Sequence, residues 1–102
     1  MAMKQSIIVP AWLGMSPGKV ASQCCHVASK YGRFEDYRVV LKVATEAQLL
    51  EIIAEALTRG LIITYFRDSN PTTEGTDGVI TAWSIRGPEQ TVNEVTGKME
   101  LY

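Results

Sequence analysis

The chain has 102 residues, 46% hydrophobic and 21% charged, which excludes a disordered tail and leaves room for one folding domain only. Ten basic residues against eleven acidic ones give a net charge of −1, without the basic excess usual in nucleic-acid binders. The longest apolar runs, Ile7-Ile8-Val9 and Leu61-Ile62-Ile63, fall far short of the ~18 residues a membrane span needs.

In chain order, residues 5–12 read as a first strand, with Pro10 marking its end. Ser16-Pro17 has the form of a helix N-cap followed by proline at the first helical position. Val20, Cys24, Val27 and Tyr31 then recur at helical spacing, predicting a helix over 17–31 closed by Gly32. Residues 37–43 form a second strand, and Thr45 with Gln48 make a capping box for a helix that stops at Gly60. Leu61–Phe66 is a continuous apolar and β-branched run, the pattern of a central strand buried on both faces. Residues 67–78 form one long polar loop, and Val79–Ile85 a fourth strand broken by Gly87-Pro88. A short helix over 89–95, capped by Gly97, follows, and residues 98–101 either form a short final strand or a plain carboxyl-terminal segment. The order β-α-β-α-β-β-α predicts a single α/β domain spanning 1–102, three layers (α/β/α) around a small, mixed, mostly parallel four-stranded sheet.

The charge is unevenly distributed. Residues 1–42 hold six basic side chains against two acidic ones, a balance of +4, and the remainder hold four against nine, a balance of −5. This is either chance in a short chain or a polyanion-facing side opposed to a solvated acidic side. Cys24 and Cys25 are adjacent, with no C-x-x-C spacing, and His26 is the only histidine, so no metal site is expected. Neighbouring cysteines bridge poorly, and no secretory signal is visible, so a cytoplasmic location is expected.

On the first helix Lys19, Gln23, His26 and Lys30 fall on one line, opposite the apolar stripe. Lys19 occupies the first turn, where the helix dipole disfavours a cation, so it is either an ordinary solvated lysine or one kept to meet an anion. Asp68 and Thr72 lie in the loop after the third strand; either Asp68 is an Asx-turn residue and Thr72 an exposed hydroxyl, or both belong to a site at the carboxyl edge of the sheet. If the first and third strands run the same way, Lys19 and Asp68 meet at that edge. His26 is either a general base or a structural histidine. Trp12 is either a stacking surface for a base or part of a core or dimer contact.

At these residues the chain resembles the type II peptidyl-tRNA hydrolase family. Gly18-Lys19-Val20-Ala21-Ser22-Gln23-Cys24-Cys25-His26-Val27-Ala28 is similar to that family's G-K-I-A-A-Q-C-x-H-A signature, and Val40-Leu41-Lys42-Val43 to its V-L-K-V strand. Asp68 through Thr72 stands where the family carries D-A-G-x-T; Ile85 with Gly87-Pro88, and Val95-Thr96-Gly97, match its I-G-P and V-T-G segments. The resemblance implies a cofactor-free hydrolase that cleaves the ester between peptide and tRNA. It implies Lys19, Asp68 and Thr72 as catalytic residues and Gln23, His26, Lys30 and Thr81 as substrate contacts. The expected partner is tRNA, with no membrane and with a homodimer conceivable. The chain departs from the pattern in Asp68-Ser69-Asn70-Pro71-Thr72-Thr73, in Pro10-Ala11-Trp12, in Pro17 and in the short Gly32–Tyr37 connection. Those departures keep open an alternative: a catalytically impaired tRNA- or protein-binding module on the same fold.

Overall fold

The computed structural model describes residues 2–68 and 78–102. Strand β1 (Met3–Pro10) runs into a 3-10 turn (Ala11–Leu13), followed by α1 (Pro17–Tyr31), β2 (Tyr37–Val43), α2 (Glu46–Thr58), β3 (Ile62–Arg67), β4 (Ile80–Pro88), α3 (Glu89–Thr96) and β5 (Glu100–Leu101). The two long helices begin where their caps stand. Ser16 Oγ accepts the Lys19 N–H at 3.3 Å, and Thr45 Oγ1 accepts the Gln48 N–H at 3.2 Å. The returning bond of the second box is shifted by one residue: Gln48 Oε1 accepts from the Ala44 N–H at 3.2 Å. Gly60, at φ 73, supplies the left-handed turn that releases the chain from α2 into β3.

Alternation along β1 builds two cores. Ile7 and Val9 point to α1 and pack with Val20, Cys24, Val27 and Ala82. Ile8 points the other way, to Leu49, Ile52 and Ala56 of α2 and Val92 of α3. Each such side chain contributes about 1.5–3 kcal/mol when fully buried, and Ile7, Ile8 and Val9 are all at most 1% exposed. The three layers predicted from the element order are therefore present, with α1 on one face of the sheet and α2 and α3 on the other.

The sheet itself requires correction. Among the described residues it has five strands in the order β3-β4-β1-β2-β5, and there only β1 with β2 pairs parallel, the other three pairings being antiparallel. Two local readings misled. The run Leu61–Phe66 belongs to an edge strand: Ile62 and Tyr65 are 54% and 46% exposed. Gly87-Pro88 does not break β4, which continues through Pro88 because Gly87 and Pro88 still pair with Lys4 and Met3 at the start of β1. The physical reason for the altered topology is that β4 returns antiparallel and inserts between β3 and β1, where it pairs on both edges.

The amino-terminal ends of β1 and β2 carry a polar network that no sequence motif announces. Gln5, Arg38 and Arg86 stand in register across β2, β1 and β4. The fully buried Gln5 donates to Ser84 Oγ at 2.9 Å and accepts from Arg38 Nε at 2.6 Å. Gly32 closes α1 directly above it, at an ordinary φ of −103. Glycine is required there for space, because a Cβ would fall on Gln5 Oε1 and an Arg38 guanidinium nitrogen. Gly32→Ala is expected to lower unfolding free energy by about 1–3 kcal/mol, the usual cost of overpacking. An unchanged midpoint in urea denaturation would contradict this.

Candidate active site

β1, β2 and β3 all point the same way, since β4 is antiparallel to both β1 and β3. Their carboxyl ends therefore share one edge of the sheet, although β1 and β3 are not neighbours. From that edge β1 leads into the amino terminus of α1, and β3 leads into Asp68. Ligands of open α/β sheets bind at such an edge.

Lys19 Nζ lies 2.8 Å from Asp68 Oδ2, and the two side chains are 9% and 4% exposed. The lysine that is misplaced against the helix dipole thus meets an anion, in a charge-assisted hydrogen bond. Asp68 is held from its backbone as well: its N–H donates to Val79 O at 2.9 Å and its carbonyl accepts from Gly78 N–H at 2.5 Å. The pair is consequently anchored by α1 on one side and by the base of the β3–β4 connection on the other.

The rest of the predicted helix line behaves differently. Gln23 is only 3% exposed, and Thr81 Oγ1 donates to its Oε1 at 2.5 Å. His26 is exposed and stacks on Phe66 with ring centroids 4.8 Å apart and planes 9° from parallel. The first half of the line, Lys19 and Gln23, is therefore turned against the β3–β4 side of the sheet, while His26 and Lys30 stay exposed. α1 lies over β1, β3 and β4, so even its polar residues meet strands. Lys30 is not brought to the pair: it sits about 16 Å further along the helix axis, with Nζ 5.5 Å from the Tyr31 ring centre. Thr81 is fully buried, so it reaches a substrate only through Gln23. Thr72 lies outside the described residues.

Cys24 supplies no nucleophile to this edge. Burial, with the neighbouring Cys25 adding to it, pushes the Cys24 thiol up to about 11, so it stays protonated at neutral pH. Both cysteines are free, Cys24 buried and Cys25 exposed. No helix among the described residues is long and apolar enough to cross a membrane.

A three-layer α/β/α domain with an ion-paired Lys–Asp couple at the carboxyl edge of its sheet has polar side chains where small α/β enzymes bind their ligands. The family model described as peptidyl-tRNA hydrolase PTH2 matches residues 3–102, and the chain belongs to that family. It is 33% identical over 114 residues to the peptidyl-tRNA hydrolase of Thermococcus sibiricus, covering 96% of each chain. It is 30% identical over 119 residues to that of Aeropyrum pernix, covering 97% of this chain and 95% of the relative. A match at 32% identity to the mitochondrial peptidyl-tRNA hydrolase 2 of Mus musculus covers 97% of this chain but 63% of the longer mouse protein. Among solved structures, a protein of unknown function from Agrobacterium tumefaciens superposes with a TM-score of 0.59 at 12% identity, covering 100% of this chain and 98% of that one. That likeness concerns the fold alone.

Proposed function

We propose that this protein hydrolyses the ester bond of peptidyl-tRNA, releasing tRNA and peptide, and that the Lys19–Asp68 couple carries the reaction. The observation behind this reading is the 2.8 Å contact of these two side chains at the carboxyl edge, in a chain of the hydrolase family. An ammonium has three donors. With one committed to Asp68, Lys19 offers the others to a substrate phosphate or to the oxyanion that develops on the ester carbonyl. The Asp68 carboxylate accepts a proton from water as that water attacks the carbonyl carbon. Collapse of the tetrahedral species expels the ribose oxygen, which takes up the proton. Gln23, held by Thr81, presents its amide nitrogen to the substrate, and His26 offers an exposed ring face near the end of β3. Lys30 contributes a phosphate contact further along α1. Thr72 keeps its assignment from the family motif alone.

Both members of the couple come from one chain, so the chemistry needs no second copy. The free Cys24 and Cys25 fit a reducing compartment such as the cytoplasm. The test is release of acetyl-amino acid from N-acetyl-aminoacyl-tRNA by the purified protein, with EDTA present. Turnover that persists in EDTA and weakens with added salt is expected, because the few cations on α1 bind phosphates by displacing counterions. Binding of tRNA without turnover would show the altered Asp68–Thr73 segment to have left a binding module instead.

A further inference from the structure

The same sheet edge has a second side. A cavity of about 340 Å³ opens on the α2 face, walled by Trp12, Leu13, Leu50, Ile80 and Trp83. It lies within the range of small-ligand sites, roughly 300–1,000 Å³. Trp12 and Leu50 are 45% and 56% exposed, so these walls are apolar surface that the fold itself leaves uncovered. The cavity adjoins the catalytic couple: Arg67, on its rim, directly precedes Asp68, and the wall residue Val79 accepts the Asp68 N–H.

Charge separates the two sides of the edge. Lys19 lies on the α1 side, and Lys30 extends the basic face away from the edge along α1. The cavity rim carries Glu46 from the first turn of α2 and Arg67, whose guanidinium already donates to Gly78 O at 2.7 Å and lies 5.9 Å from the Tyr65 ring centre. Their charges cancel, so a phosphate gains nothing there. A neutral apolar group gains by covering two indoles and two leucines.

We propose that this cavity is a subsite for the side chain of the amino acid esterified to tRNA, and that it favours large apolar residues. The inference rests on the hydrolase reading given above: the polyanion lies along α1, the ester crosses the edge at Lys19 and Asp68, and the acyl side chain drops onto the α2 face. The enzyme therefore distinguishes its substrates by the last residue of the peptide as well as by the tRNA.

The experiment compares kcat/KM for one tRNA body charged with either N-acetyl-phenylalanine or N-acetyl-glycine. The wild-type protein is expected to favour the phenylalanyl ester by about tenfold or more, the scale on which hydrophobic pockets discriminate. Trp12→Ala and Leu50→Asp, both at exposed positions, are expected to bring that ratio toward one. A wild-type ratio near one overturns the subsite. So does a ratio that neither variant changes, including the case where Trp12→Ala slows both esters equally, as it would if the indole stacked on the terminal adenine. Failure to cleave either ester is a different result: it removes the hydrolase reading, and this one with it.

Discussion

Lys19→Ala is expected to lower kcat for peptidyl-tRNA hydrolysis by about 100-fold or more, and Asp68→Asn by a similar factor. Loss of a single preorganised donor to a developing oxyanion costs on the order of 10²–10³, and loss of a general base on the order of 10²–10⁴. Both substitutions also act on stability, because the couple is largely shielded, at 9% and 4% exposure. Breaking a buried pair by removing one partner costs about 3–5 kcal/mol. Turnover is therefore to be measured at a temperature where circular dichroism shows each variant folded. The double variant Lys19→Met, Asp68→Asn separates the two effects. Removing both charges together is expected to restore much of the lost stability relative to Lys19→Ala, while activity stays absent. Near-wild-type turnover in a folded single variant would remove the couple from the reaction.

Arg86→Ala is expected to be among the most destabilising single changes outside the apolar core. Arg86 grips Asp36 with two hydrogen bonds, Nε to Oδ2 at 2.7 Å and a terminal nitrogen to Oδ1 at 2.9 Å, and the Asp36 side chain has no exposed surface. The Arg33 N–H adds a third bond to the same carboxylate, at 2.9 Å. The Arg86 hydrogen bonds outweigh the opposing effect of burial and, with the Arg33 N–H and the charges of Arg86 and Arg38, hold the Asp36 carboxyl down at about 2. Without Arg86 a shielded carboxylate loses its principal partner, at a cost of about 3–5 kcal/mol. In a domain of this size that lowers Tm by roughly 10–20 °C or more.

The same contact sets an acid limit. Because the folded value lies below the unfolded one, Asp36 adds stability that is fully present above the unfolded pKa of roughly 4. That contribution is lost as pH falls from there toward 2. It amounts to something on the order of 2 kcal/mol for a shift of this size. Arg86→Ala is expected to flatten the stability profile in that window, as read by denaturant midpoints taken at successive pH values. A profile of undiminished slope would show that another carboxylate governs acid unfolding.

The helices were legible because their signals are local. Ser16-Pro17 and Thr45 with Gln48 mark starts through bonds that span three residues, and the stripe Val20, Cys24, Val27 needs only the helical period. Helix α1 accordingly occupies Pro17–Tyr31, the range the spacing predicts, and β2 occupies Tyr37–Val43, also as predicted. Strand β3 shows the opposite case. An uninterrupted apolar run looks the same in a central strand and in an edge strand whose outer neighbours are absent, so sequence could not tell that Ile62 and Tyr65 are exposed.

The candidate site divides along the same line. Lys19 and Asp68 were legible, one from its discord with the helix dipole and the other from its place after a strand, and the family resemblance joined them. That Gln23 is buried against Thr81, 58 positions away, was not legible, since nothing in a helical period reports what lies beneath it. The Asp36–Arg86 contact, between residues 50 positions apart, had no local signal either.

By itself, the sequence determined the helices, the three-layer class and the family, and it offered Lys19 and Asp68 as candidates for one edge of the sheet. All of these depend on short-range backbone bonding, periodicity and motif. Only the tertiary structure decided that β4 lies between β3 and β1, that five strands pair mainly antiparallel, and that an apolar cavity backs the Lys19–Asp68 edge. Those outcomes depend on which distant strands compete for the same edge hydrogen bonds and on which side chains are left without a neighbour. Charge is divided the same way between the two helices: α1 carries Lys19 and Lys30 with no acid, and α2 carries Glu46, Glu51 and Glu55 with no base, on opposite faces of the sheet.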